Sequence, residues 1–317
     1  MKRNIFLLIK IIIAFALLAF LYKINSSSFK DAFNIFTLGF MPFFLLSGCF
    51  FMLNVILLAS RQLLLLAPMD IKSSFKDMFR FAYGGMFANM FLPAGIGYDV
   101  VRILHFKSQS SLFLVTGWIL TDKIIGLIGL LILSITAVNI ALLLSGSRET
   151  YILIVDFISI VSVASIMFLV LSKKATGLIM RVLKKIPVLM NNRNILAFIE
   201  GLKRYSTNRR KIIYAILLSV ASSFMAIIGI GVLGYALGGI NMAIATLIFA
   251  PVVMMSSIIP VSPGNIGWTE AVATGVSYAF GSSGGLTVFI LWRIVSITFS
   301  VGGLPEVLNI CKKKQVL

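Results

Sequence analysis

Two short stretches place ionisable side chains beside glycine and proline inside apolar sequence. The first, FANMFLPAGIGYDVVRILHFK (87–107), contains Asp99 and, three residues later, Arg102. Side chains three apart share a helix face, so this pair can neutralise itself, line a polar path or bind a phosphate. The second, IIPVSPGNIGWTEAV (258–272), contains Glu270, for which Arg293 in the last apolar run is a candidate counter-ion. These side chains could therefore form ion pairs and bind anions.

Both stretches follow one order: a proline, then glycines, Ile-Gly, an aromatic residue and an acid. Proline ends an incoming helix and glycine permits turns that a side chain forbids. Irregular backbone at membrane depth is tolerated where protein or water satisfies its N–H and C=O groups, which favours the wall of a cavity. The candidate substrate-binding residues in these stretches are Asn89, Pro93, Gly95, Gly97, Asp99 and Arg102 in the first, and Pro263, Gly264, Gly267 and Glu270 in the second.

A third polar point is LTDKIIGL (120–127), which interrupts a long apolar run with Asp122 and Lys123. Adjacent residues point in different directions on a helix, so each needs its own partner. The competing interpretation is an interfacial kink from which both side chains reach the headgroups. Asp99 and Glu270 have a competing interpretation too, because a carboxylate in a first turn caps free N–H groups.

The residues that metal and redox chemistry would need are scarce. His105 is the single histidine, and Cys49 and Cys311 have no metal-ligand or disulfide spacing. We therefore expect no metal and no cofactor.

The elements that carry these residues are membrane helices. The chain has 317 residues, 59% hydrophobic and 12% charged, and its mean hydropathy of +1.04 is far above that of a soluble domain. This composition predicts an all-α, polytopic integral membrane bundle as a single domain, 1–317, whose halves 1–172 and 212–317 are joined by 173–211. The runs long enough to cross roughly 30 Å of hydrocarbon are 4–22, 34–60, 81–97, 111–145, 151–171, 212–236, 241–259, 264–281 and 286–308. Because the third and eighth are broken by glycine and proline, we predict 7 to 9 membrane segments, two broken or re-entrant helices and an inverted repeat.

The net charge of +18 lies in short clusters between apolar runs. The N-terminus, 61–80, 173–211 and the C-terminal tail are basic, whereas 23–33, 146–150, 237–240 and 281–285 are nearly neutral. Cationic loops stay in the cytoplasm, so the pattern predicts a multi-pass protein of the cytoplasmic membrane with both termini inside, and it argues against nucleic-acid binding. Segment 173–211 also has a helical apolar face, which suits an anionic inner-leaflet surface; the alternative is a loop that only sets topology.

At these residues the chain resembles the membrane region of the lysylphosphatidylglycerol synthases, flippase-like domains found alone or fused to an aminoacyl-lipid synthase. Asn89 through Arg102 match an Asn-to-Pro, Gly-rich, acid, Arg signature, and 260–270 is similar to a late Pro, Gly-rich, acid stretch. Asp122, Lys123, Gly126 and Leu127 resemble an acid-Arg-x-x-Gly-Leu element with Lys for Arg. There are departures: Tyr98 stands where a small residue is common, and Trp268-Thr269 replaces a small or aliphatic residue and a base. Because this basic residue is missing, the resemblance does not identify the lipid headgroup.

The resemblance implies a non-enzymatic translocator that moves a phospholipid or a polyprenyl-linked glycolipid between leaflets, and we expect a stand-alone member without the synthase domain. One alternative is a non-transporting accessory subunit of a membrane glycosyltransferase or envelope-polysaccharide complex, docked through 173–211. Another is a membrane-embedded transferase with Asp99 or Glu270 as general base. The expected partners are membrane lipids, with a second copy or an envelope-biosynthesis protein as further candidates.

Overall fold

The computed structural model describes residues 19, 22–23, 26–69, 71–92, 96–106, 110–145, 209–259 and 261–315. Within these ranges the chain is helical and has no strand. The runs at 4–22 and 151–171 and the basic segment up to residue 208 fall almost wholly outside the described residues, as do Pro93 and Gly95.

The helices, in chain order, are α1 (Ser26–Asn34), α2 (Met41–Leu66), α3 (Phe75–Asn89), α4 (Ile96–Phe106), α5 (Leu112–Ser145), α6 (Arg209–Ser256), α7 (Trp268–Ala279), α8 (Gly285–Ser300) and α9 (Leu304–Gln315). Short 3₁₀ turns at Ala67–Met69 and Val301–Gly303 extend α2 and join α8 to α9.

Four helical stretches of the described chain are long and apolar enough to cross a membrane: Met41–Met69, Leu112–Leu143, Arg210–Ser256 and Gly285–Ile310. The all-helical, multi-pass architecture that the composition predicted is confirmed at this level. The number of segments, 7 to 9, stays a prediction.

Helix α6 is a hairpin of two arms, 209–237 and 240–256, because Gly238 and Gly239 leave the helical conformation. Gly239 has φ +67°, which glycine adopts without strain. The arms pack closely enough that a Cβ on Gly231 would lie 2.8 Å from Leu247. The break falls at the predicted connection 237–240, between the runs predicted at 212–236 and 241–259.

The run predicted as a membrane segment at 81–97 is the first half of a re-entrant hairpin formed by α3 and α4. Gly97 lies against Ala88 near the tip, and the His105 ring lies 4.0 Å from the Phe81 ring towards the base. The chain therefore turns back near residue 90 and leaves at the end of the bundle where it entered. This hairpin agrees with the prediction of a broken or re-entrant segment, and its two antiparallel half-helices bury each other's apolar faces.

The second arm of α6 and α7 form another re-entrant hairpin. Trp268 Nε1 donates to the Ser256 carbonyl at the tip (2.9 Å), while the Ser282 hydroxyl contacts the Met242 sulfur at the base (3.2 Å). This second base lies beside the start of α2, near the α6 turn, whereas the first base follows the end of α2. The two hairpins thus point towards each other from opposite ends of α2, which is the geometry that an inverted repeat predicts.

Candidate functional site

The tips of the two hairpins meet inside the bundle. The Gly264 N–H points at the Leu92 carbonyl oxygen, 3.4 Å away, in a long hydrogen bond. Gly264 has φ +57°, and a Cβ there would lie 2.9 Å from the Met90 carbonyl oxygen. Glycine is therefore required both for the turn and for the close approach of the two backbones.

Side chains satisfy the irregular backbone of the second tip. Arg293 donates to the carbonyl oxygens of Gly264 (3.1 Å) and Asn265 (3.3 Å). The Gly267 N–H donates to Glu270 Oε2 (2.8 Å), and Glu270 Oε1 pairs with Arg293 Nε. Glu270 thus combines the two roles that the sequence left open, since it caps α7 and also forms the predicted ion pair with Arg293.

The first tip uses an amide in the same way. Asn89 lies one helical turn before the break, and its Oδ1 accepts the Tyr98 N–H at 3.0 Å. Gly97, beside Ala88, allows α4 to start against the end of α3.

Five charged side chains from three helices form a connected chain of ion pairs. Arg61 Nε lies 2.9 Å from Asp122 Oδ1, and Arg102 Nη1 lies 2.8 Å from Asp122 Oδ2. Arg102 Nη2 also pairs with Asp99 Oδ1 (2.8 Å), whose other oxygen pairs with Lys123 Nζ. Three cations face two carboxylates, so the cluster carries one net positive charge in a medium where an ionised group needs a partner.

Burial separates the interior of this cluster from its open end. The Arg102 side chain is 2% exposed and lies between the rings of Tyr98 and Trp118, with its guanidinium carbon 4.7 and 5.1 Å from their centroids. The Lys123 side chain is 44% exposed. A ligand can therefore reach Lys123 directly, whereas Arg102 acts through Asp99 and Asp122.

The interfacial interpretation of 120–127 is wrong for Asp122. Helix α5 runs without a break from Leu112 to Ser145, and the Asp122 side chain is 4% exposed. Two buried arginines stabilise the carboxylate at this depth, so it has no need to reach water.

Sequence reasoning missed Arg61, which it placed in the basic loop 61–80. Helix α2 continues to Leu66, and the Arg61 guanidinium is buried against Asp122 and the Ser219 hydroxyl (2.9 Å). Arg61 stays in the bundle because Asp122 neutralises it. The sequence did contain a signal that the helix continues: the run LLLLAPM that follows Gln62 is too apolar for an exposed loop. Gln62, which donates to Asp122 at 3.4 Å, was missed for the same reason.

Two cavities lie on either side of the tip contact. The Lys123 cavity, about 650 Å³, is bounded by Lys123 and Gly126 of α5 and by Ser257 and the two tips. The Arg293 cavity, about 320 Å³, is bounded by Arg293, Trp292, Asn54 and the same tips. Four residues line both cavities: Asn89, Ser257, Gly264 and Asn265.

The structure thus gathers the candidate residues that it describes around one point. Asn89, Gly97, Asp99, Arg102, Asp122 and Lys123 surround the first tip, and Pro263, Gly264, Gly267, Glu270 and Arg293 form or support the second. Pro93 and Gly95 lie outside the described residues. No cluster of three His, Cys, Asp or Glu side chains suited to a metal occurs in the described ranges.

Comparison with known proteins identifies the family of the chain. No curated protein and no solved structure matches the chain at a significant level. The family described as "Lysylphosphatidylglycerol synthase TM region" matches residues 7–302, which include both hairpins and all the charged residues above. The chain therefore belongs to the lysylphosphatidylglycerol synthase transmembrane-region family.

Proposed function

We propose that this protein moves an anionic lipid between the two leaflets of the cytoplasmic membrane. The headgroup passes between the Lys123 cavity and the Arg293 cavity while the hydrocarbon chain stays in the bilayer. The observation that carries the proposal is the meeting of two opposed re-entrant tips, with a cavity large enough to hold solvent and a cation on each side of their contact.

The electrostatics favour a phosphate. Lys123 ends a cluster with one net positive charge, and an anionic headgroup can replace Asp99 as its partner. On the other side, Arg293 is 26% exposed at the cavity wall while Glu270 is buried behind it. A phosphate leaving Lys123 thus meets a second donor across the tip contact, which lowers the cost of carrying charge through the hydrocarbon.

Arg61, Arg102 and Asp122 have a positioning role in this scheme. Their side chains are buried and paired, so they fix α2, α4 and α5 around the first tip and do not bind the headgroup. Both acids are also paired. Asp99 forms ion pairs with two cations, and Glu270 pairs with Arg293 and accepts a backbone N–H. Neither carboxylate is arranged as a free general base, which favours transport over the transferase alternative.

The test is a leaflet assay with the purified protein in vesicles that contain tail-labelled phosphatidylglycerol. Lys123→Gln removes the exposed cation and should reduce the translocation rate about tenfold, the value of one charge-assisted hydrogen bond of roughly 1.5 kcal/mol. Lys76→Gln makes the same change at an exposed position outside both cavities and should leave the rate unchanged.

Background rates for wild type with every labelled lipid offered would count against translocation. An unchanged rate for Lys123→Gln, or equal losses for Lys123→Gln and Lys76→Gln, would count against the role of Lys123 in it. The first result would favour the accessory-subunit alternative.

A further inference from the structure

The Arg293 cavity has an unusual lining for a membrane interior. Apolar side chains form most of its wall, but the wall also contains Trp292, which packs edge-on against Phe51 (5.9 Å between centroids), and a set of uncharged polar side chains. The polar members are Asn54, Asn89, Ser257, Asn265, Thr269, Ser296 and Ser300. Amides, hydroxyls and an aromatic face are the groups that hold polyols, whereas charged headgroups call for ions of opposite sign.

Three asparagine side chains in the lining each use one end of the amide, the NH₂ or the oxygen, for a hydrogen bond within the protein. Asn54 Nδ2 donates to the Ser222 carbonyl (2.7 Å), and Asn265 Nδ2 donates to the Ser257 carbonyl. Asn89 uses its oxygen for the Tyr98 N–H. Each amide therefore keeps its opposite end for another partner.

The free ends form a mixed set of donors and acceptors. Asn265 is 7% exposed and its Oδ1 is buried with no hydrogen-bond partner among the described residues. The Ser257 hydroxyl donates no hydrogen bond within the described chain. Hydroxyl groups both donate and accept, so a polyol can satisfy such a set; an ammonium group only donates.

The charge of the lining excludes a cationic headgroup. Arg293 is the single charged side chain among the described residues of this wall. Its partner Glu270 is 1% exposed and lies behind it, so an entering ammonium group meets a guanidinium and no carboxylate. A cation would lose its hydration without gaining a counter-ion.

Building on the proposed translocation, we infer that the Arg293 cavity receives an uncharged, polyhydroxylated portion of the headgroup, a sugar or a glycerol linked through phosphate. Arg293 binds the phosphate and the amides and Trp292 hold the hydroxyls. A cationic aminoacyl headgroup is rejected. This assigns the headgroup that the sequence left open.

The experiment compares headgroups on identical labelled tails in the same vesicles. Phosphatidylglycerol and phosphatidylinositol offer a glycerol and a cyclic polyol, a glycosyl polyprenyl phosphate offers a sugar, lysylphosphatidylglycerol offers a cation, and phosphatidic acid offers phosphate alone. We expect at least one polyol lipid to move about tenfold faster than the lysyl lipid, since two unmatched hydrogen bonds are worth roughly 1.5 kcal/mol in total. The fastest polyol lipid then distinguishes glycerol from sugar.

Two variants test the lining itself. Asn89→Asp keeps the oxygen that accepts the Tyr98 N–H but replaces the free NH₂ with a charged oxygen, so it should reduce the polyol rate and raise the lysyl rate. Ser257→Ala should reduce the polyol rate a few-fold and leave phosphatidic acid unaffected. Ser60→Ala, on an exposed hydroxyl that bonds only within its own helix turn, is the matched control and should change neither.

Binding is measured separately, as the rise in thermal stability that each lipid gives the detergent-solubilised protein. Background transport of every lipid would refute the proposed function, and stabilisation by the polyol lipids alone would still support the headgroup inference. Equal or stronger stabilisation and transport by the lysyl lipid, or headgroup ratios that Asn89→Asp and Ser257→Ala leave unchanged, would overturn that inference.

Discussion

Asp122 holds two buried guanidinium groups, so its neutralisation should destabilise the whole bundle. In Asp122→Asn the amide oxygen can accept from Arg61 or from Arg102, and the NH₂ group then faces the other arginine as donor to donor. The net charge of the cluster rises from one to two, with Asp99 as the remaining carboxylate.

The expected cost is about 3–5 kcal/mol of unfolding free energy, the range for removing one partner of a buried ion pair. The assay is an unfolding titration in mixed micelles, followed by loss of helical circular dichroism. Asp31→Asn removes the same charge from an exposed position on α1 and should stay within about 0.5 kcal/mol of wild type.

A double-mutant cycle separates the ion pair from simple packing. In Arg61→Met with Asp122→Asn, the unpaired guanidinium is gone and Arg102 keeps Asp99, so the double variant should be more stable than Asp122→Asn alone. We expect a coupling energy of about 1–3 kcal/mol between positions 61 and 122. A loss below 1 kcal/mol for Asp122→Asn, or strictly additive effects, would refute the claim that this carboxylate holds the bundle together.

Two further stability predictions use the same titration. Gly97→Ala places a Cβ 2.5 Å from the Ala88 carbonyl carbon, so it should separate α3 from α4 and reduce the free energy of unfolding by about 1–3 kcal/mol. Gly275→Ala is the control, because its Cβ meets nothing within 4 Å and should be neutral or slightly stabilising. Equal effects of the two substitutions would contradict the tight packing of the first hairpin. Trp118→Ala should reduce the free energy of unfolding by about 3–5 kcal/mol, because it removes a fully buried ring and one of the two aromatic faces against Arg102. Trp118→Phe keeps an aromatic ring and should lose markedly less stability. Similar losses for the two variants would show that ring packing contributes little.

Local features of the site could be predicted from the sequence. The pairing of Asp99 with Arg102 follows from three-residue spacing on one helix, and the bond from Asn89 to the freed backbone follows from its place one turn before the proline. The capping role of Glu270 follows from its position in the first turn of α7. Each depends on neighbours within a few residues, where helical geometry fixes the distances.

The cytoplasmic assignment of Arg61 shows where such reasoning fails. Counting Lys and Arg between apolar runs assumes that an unpaired cation stays at the membrane surface. Arg61 is paired with Asp122, which is 61 positions away along the chain, so the assumption does not apply. Only the packing of α2 against α5 shows that the charge is neutralised.

Composition and the two glycine-proline breaks by themselves determined that this is a helical membrane protein with broken segments, because hydropathy and backbone chemistry leave a chain few other ways to cross a bilayer. The tertiary structure alone decided that the breaks are tips of opposed re-entrant hairpins, that they meet through Gly264 and Leu92, and that Lys123 ends an ion-pair chain begun by Arg61. These contacts join residues far apart in sequence, and their partners are set by which helices pack together, a choice that no local pattern encodes.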